Sequence, residues 1–181
     1  ILDFVQVSRE ELPWVKRCVD LTPELWANTE AGTKKAIIQG IARGDIWLNK
    51  IKYQNGKRIY SNVCLEVYLP SRGTCLLQHL NMSACRIGDL RQGFREGMSS
   101  LCELHGVTGV GESGEYLTPD IDRQVGFGLL GLANFLANNN ITYAQFGEAL
   151  KAVNNGESYD GYAGLAAREL FLGIEDAANI A

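Results

Sequence analysis

The chain has 181 residues, 46% hydrophobic and 21% charged, with a formal charge of -4 and a pI near 5.2. That is enough apolar side chain for one sizeable core, and the expectation is a single domain over residues 1–181. Lys and Arg are scattered, which argues against a broad nucleic-acid surface; no apolar run approaches the roughly 18–20 residues of a membrane span, and without an export signal the expected setting is cytoplasmic.

Taken in chain order, the first residue is Ile1 rather than Met, and the chain is read as a piece of a longer polypeptide. Thr22-Pro23-Glu24 has the form of an N-cap followed by proline at the first helical position, and predicts helix to Gly44 with an interruption near Gly32. Ile37, Ile38 and Ile41 mark its expected inner face. Asp45 to Leu48 reads as a short extended segment, and Asn55-Gly56 as a tight turn between two strands. From Arg58 to Met82 the pattern is β-rich, with Ile59, Tyr60, Val63, Val67, Tyr68 and Leu69 before Pro70, a loop at Ser71-Arg72-Gly73, and a further strand from about Thr74. Ile87, Leu90, Phe94, Met98 and Leu101, at spacings of three and four, predict a helix from Arg86 to Leu104 closed by Gly106. A long polar connection follows from Val107 to Asp122, then helices over Gly128–Asn138, Tyr143–Val153 and Tyr159–Asn179. Strands alternating with helices define an α/β class.

The densest chemical signal is Ser61-Asn62-Val63-Cys64-Leu65-Glu66. If the segment is extended, alternation puts Asn62, Cys64 and Glu66 on one face, joining an amide, a thiol and a carboxylate able to take a proton. The competing reading is a half-exposed strand with an incidental cysteine. The other cysteines, Cys18, Cys75, Cys85 and Cys102, taken singly, are more simply core residues of a reducing compartment.

The run Ser61 to Pro70, with Asn62, Cys64, Glu66 and Leu69-Pro70, resembles the finger-loop signature of ribonucleotide reductase catalytic subunits. Two further blocks fit in order. Gly73-Thr74-Cys75, with Asn81 downstream, is similar to the strand bearing one redox cysteine of that family, and Asp122 to Leu132 resembles its Arg-x-x-Gly-x-Gly helix start. The resemblance covers roughly residues 20–180, the middle of a full subunit. It implies part of a ten-stranded α/β barrel with a central finger loop carrying Cys64 as the radical-bearing cysteine. Glu66 would take the proton of the substrate 3'-hydroxyl, Ser61 and Asn62 would help hold the ribose, and Cys75 would supply a reducing equivalent. The implied substrate is a ribonucleoside di- or triphosphate, and the implied reductant thioredoxin or glutaredoxin. The radical would come from a metal-containing small subunit, toward which Leu65 leans, or from adenosylcobalamin; homodimers are common in the family. Only Cys18 precedes Cys64, without a matching context, so the partner of Cys75 is unassigned. The serine-rich phosphate segment and the cysteine tail of the family are also missing from these residues.

Two other readings compete. Gly126-Phe127-Gly128-Leu129-Leu130-Gly131 satisfies the dinucleotide fingerprint of a nicotinamide-dependent oxidoreductase, but the preceding Thr118 to Arg123 is polar and broken by Pro119, so the glycines are better read as close packing with Leu129, Leu132, Ala133 and Leu136 facing the core. Cys75, His79, Cys102 and His105 have spacings compatible with zinc in a non-catalytic structural domain, against which Cys102 reads as core and His105 as a helix-terminal cation. Trp14, Trp26, Trp47, Tyr159 and Tyr162 are read as core aromatics.

Overall fold

The computed structural model describes residues 17–62, 64–108, 116–118 and 120–181. Val63, Trp14, Gly109, Gly111, Gly114 and Pro119, named in the expectations above, lie outside them. The chain is mixed helix and sheet, as the α/β reading requires, and divides between Arg72 and Gly73 into two compact units.

In the N-terminal unit, β1 (Arg17–Asp20) is followed by α1 (Pro23–Asn28), α2 (Ala31–Arg43) and β2 (Ile46–Asn49). The two strands pair in parallel, from Arg17 opposite Ile46 to Asp20 opposite Asn49. Thr22 caps α1 as expected, its Oγ1 accepting from the Leu25 amide at 3.1 Å ahead of Pro23. The helical break comes at Thr29-Glu30, before Gly32: the Thr29 hydroxyl donates back to the Leu25 carbonyl at 2.6 Å, and its own backbone is extended. Gly44 ends α2 in the left-handed region, at φ 76°.

The inner face of α2 corrects the expectation. Ile37 is buried, but Ile38 is 56% exposed and Ile41 40% exposed. The stripe that faces inward is Thr33, Ile37 and Gly40, at helical spacing. A Cβ on Gly40 would lie 2.4 Å from Ile46 Cδ1, so glycine there lets Ile46 fill the space and join Val19 and Ile37 in a small core. Trp26 packs against that core, whereas Trp47 is exposed.

An antiparallel ribbon completes this unit: β3 (Lys52–Gln54), β4 (Lys57–Ser61) and β5 (Tyr68–Leu69). Asn55 and Gly56 form the predicted turn, both at positive φ, 51° and 75°, as a two-residue hairpin with native twist needs.

The C-terminal unit begins with β6 (Cys75–Asn81), two short 3-10 turns, and α3 (Leu90–Val107). β7 (Gln124–Leu130), α4 (Leu132–Asn138), α5 (Tyr143–Asn154) and α6 (Gly161–Ile180) follow. β6 and β7 pair in parallel along their whole length, from Cys75 opposite Gln124 to Asn81 opposite Leu130. Leu90, Phe94, Met98 and Leu101 of α3 are buried as the periodicity predicts, and Leu76, Leu80, Val125 and Phe127 of the sheet pack against this core. Gly97 and Gly93 allow that contact, since a Cβ would come within 2.4 Å of the Phe127 ring and 2.9 Å of Leu80. Phe94 meets Phe127 with ring centroids 5.3 Å apart, and its burial is worth about 2–3 kcal/mol. α6 closes the other side of α3 with a row of small residues, Ala163, Ala166, Ala167, Gly173 and Ala177, and Arg91 of α3 clasps Asp176 of α6 at 2.7 and 3.1 Å.

Three expectations shift here. The helix placed from Gly128 starts only at Leu132, because Gly128 to Leu130 belong to the ladder with β6 and Gly131 turns the chain at φ 70°. The helix phase moves with it, so Phe135 and Leu136 are buried while Leu129 and Ala133 are exposed. α3 runs through Gly106 to Val107 rather than stopping there. Tyr159 packs against the core with its hydroxyl donating to Glu148 at 3.1 Å, and Tyr162 is exposed.

Candidate active site on the β4–β5 hairpin

The strip from Asn62 to Glu66 is not a strand. β4 stops at Ser61, residues 64–66 turn, and the chain returns in β5, so the one-face geometry expected from alternation does not form. The three groups share a hairpin loop instead. Its neck is closed by the Asn62 amide donating to the Val67 carbonyl at 3.1 Å, and its bend by the Leu65 amide donating to the Asn62 carbonyl at 3.1 Å. Leu65 sits at φ 63°, a left-handed conformation that a branched side chain adopts only at a cost. Cys64 and Glu66 are exposed on this loop, while Asn62 is half-buried and its Oδ1 is buried with no hydrogen-bond partner among the described residues. An acceptor in that condition carries a desolvation cost until a donor meets it.

Beneath the loop runs a polar network that sequence reasoning missed. Asp20 of β1 pairs with Arg58 of β4 and accepts from Asn49 Nδ2 of β2 at 2.8 Å; Asn49 Oδ1 in turn accepts from Ser61 Oγ at 2.8 Å. The hydrogen bond that Arg58 donates to Asp20, with the carboxylate's charge, holds the guanidinium even more firmly protonated than usual. Arg58 also stacks over Tyr60 at 4.6 Å, and Lys52 over Tyr68 at 4.4 Å. Ser61 thus spends its hydrogen tying the root of the loop to β2. Four residues spread from position 20 to 61 leave no local motif, and only strand pairing reveals them.

Cys75 lies in the other unit, half-buried as the first residue of β6. Strand alternation sets it with Leu77 and His79 on the sheet face opposite α3. Gly126 and Gly128 of β7 make room on that face: a Cβ would come 2.4 Å from Leu77 Cδ2 and 2.6 Å from His79 Cδ2. The fingerprint-like glycines are therefore inside a strand, whereas a dinucleotide site needs them after a strand and opening a helix.

Cys18, Cys64, Cys85 and Cys102 are free thiols. Cys85 is shifted upward by burial and by Asp89. Among the described residues no group of three or more His, Cys, Asp or Glu is placed to hold a metal ion, so Cys75, His79, Cys102 and His105 do not converge. His105 is not the helix-terminal cation expected: it is 3% exposed, bonds Thr74 Oγ1 through Nε2, and its pKa is pushed down by burial and by Arg123. No described helix is long and apolar enough to cross a membrane. No protein-family model and no curated protein matches this chain.

Proposed function

We propose that this chain is the cysteine-bearing central part of a ribonucleotide reductase catalytic subunit, with Cys64 as the residue that carries the thiyl radical. The observation that carries the reading is the loop itself. One short hairpin presents a thiol and a carboxylate, with an amide oxygen at its root that is buried and has no partner among the described residues. The sheet fragments support it too. Among the described residues β1–β2 and β6–β7 are two-stranded parallel pairs, and parallel sheets are stable mainly when extended and covered on both faces, as barrel strands are. In this proposal they are strands of a ten-stranded barrel, and the loop threads its centre.

In the chemistry proposed, the Cys64 sulfur radical takes the hydrogen atom from C3' of the ribose and becomes a thiol. The Glu66 carboxylate accepts the 3'-hydroxyl proton, and the C2'–oxygen bond breaks with departure of water, its extra proton coming from a thiol. Two thiols, one of them Cys75 and the other on polypeptide beyond this chain, deliver two electrons and become a disulfide. The second thiol's hydrogen atom forms the new bond at C2', Glu66 returns its proton to the 3'-oxygen, and Cys64 gives its hydrogen atom back to C3'. Asn62 Oδ1 accepts from a ribose hydroxyl, and Ser61, whose hydrogen goes to Asn49, offers only its lone pairs. Oxidation of Cys64 to the radical is the chemistry supplied by a metal-containing small subunit or by adenosylcobalamin.

The test is reduction of ribonucleoside di- and triphosphates by the full polypeptide carrying these residues, with a thioredoxin-type reductant and each radical source in turn. Turnover should be present in the parent, absent in Cys64→Ser, and the Tm of the two should agree. Undiminished activity in C64S would sink the proposal, as would NADH binding that depends on Gly126.

A further inference from the structure

Between Ile46 and Leu65 the chain holds Lys50, Lys52, Lys57 and Arg58 and no acidic residue, although its formal charge is -4. The ribbon register sorts these cations. Lys52 lies opposite Ile59, Gln54 opposite Lys57, and Ser61 opposite Tyr68, so strand alternation puts Lys52, Lys57, Ser61 and Tyr68 on one face. The Lys52 ammonium reaches across β4 accordingly and stands 4.4 Å over the Tyr68 ring. Arg58 belongs to the other face, where it stacks on Tyr60 and is neutralised by Asp20. Lys52 and Lys57 are exposed, and among the described residues neither is paired with a carboxylate.

We propose that this face is a phosphate track. It takes the polyphosphate of the nucleotide whose ribose meets the Cys64 loop, with Lys52 on the inner phosphates and Lys57 on the γ-phosphate. For the identity of the ligand it rests on the reductase reading. Tyr68 is the first residue of β5 after the loop, so Lys52 holds its charge at the loop's root. A ring partner leaves the ammonium charged, with N–H donors to offer phosphate oxygens, whereas a carboxylate would cancel it. β4 rises about 3.4 Å per residue, which sets Ile59, beside Lys52, roughly 7 Å from Ser61, and Lys57 roughly 14 Å from it. A diphosphate running back from a ribose at Ser61 meets Lys52 and stops short of Lys57. A triphosphate reaches both, so the track favours ribonucleoside triphosphates over diphosphates.

The test uses the full polypeptide at low ionic strength, where exposed contacts of this kind are least screened. Inorganic tripolyphosphate should shift the Lys52, Lys57 and Tyr68 side-chain signals saturably in NMR and should compete with the nucleotide. Lys52→Met should raise KM for both di- and triphosphates about tenfold at unchanged kcat, with recovery in Lys52→Arg. Lys57→Met should do so for the triphosphate alone. Both lysines are exposed, so parent and variants should share one Tm. Ribbon signals that ignore tripolyphosphate would overturn the track, as would undiminished affinity in Lys52→Met or a Lys57→Met effect equal on the two nucleotides. The tripolyphosphate titration needs no turnover, so an inactive parent counts against the reductase reading while the track is decided by its own signals.

Discussion

The two units are held together by different means. The C-terminal unit rests on one broad apolar core in which Phe94, Leu101, Phe135 and Leu136 are all at least nine-tenths buried, tightened by glycines that admit rings at contact distance. Among its described residues the N-terminal unit buries only Val19, Ile37 and Ile46 as an apolar cluster, and its ribbon leans on the Arg58–Asp20–Asn49–Ser61 chain of polar contacts. The loop carrying Cys64 and Glu66 sits on the thinly cored unit. Lesions in stability and lesions in activity should therefore separate along the chain.

The largest effect should come from the core. Phe94→Ala is expected to cost about 3–5 kcal/mol, and Ile37→Ala about 2–4, with hydrogen exchange rising within residues 73–181 for the first and within residues 17–72 for the second. A variant that loosened both units equally would break the comparison. Next, Gly97→Ala should lose about 1–2 kcal/mol, because collision with Phe127 outweighs the ~1 kcal/mol helix preference for Ala; Gly32→Ala, with nothing within 4 Å of its new methyl, should gain less than about 1 kcal/mol. Denaturant titration of both measures the sign. Arg58→Met should leave global unfolding nearly unchanged yet speed alkylation of Cys64 and exchange of the Asn62 amide, sharpening the claim that the network serves the loop. Smallest is a pH effect. His105 titrates below its ordinary 6.5 in the folded state, so its contribution to stability is complete above that pH and declines as pH falls toward the depressed value; His105→Gln should flatten this slope in Tm against pH.

Much of the local structure was legible because single residues dictate it: the Thr22 cap, the Asn55-Gly56 turn, the apolar row of α3. The errors have a common cause in pairing. Gly126 and Gly128 are poor strand residues, and only β6 alongside, with Leu77 and His79 needing room, makes a strand of that segment. The stretch from Asn62 to Glu66 has strand-like composition, but pairing of β4 with β5 makes Cys64 to Glu66 turn. The loop residues were singled out by type and order alone; the polar network beneath them, whose members lie on three strands, was invisible until those strands were in register.

That register also orders events in time. The ribbon β3–β4–β5 joins near neighbours, and hairpins of this kind close in about 1–10 μs. The parallel pairs must bring Arg17 to Ile46 and Cys75 to Gln124 across intervening helices, a slower search. A newly made chain therefore shapes the loop around Cys64 before those strands have found each other. Its thiol, exposed on the folded loop as well, is open to oxidants from that moment on, and sulfenic acid formed there would consume the thiol.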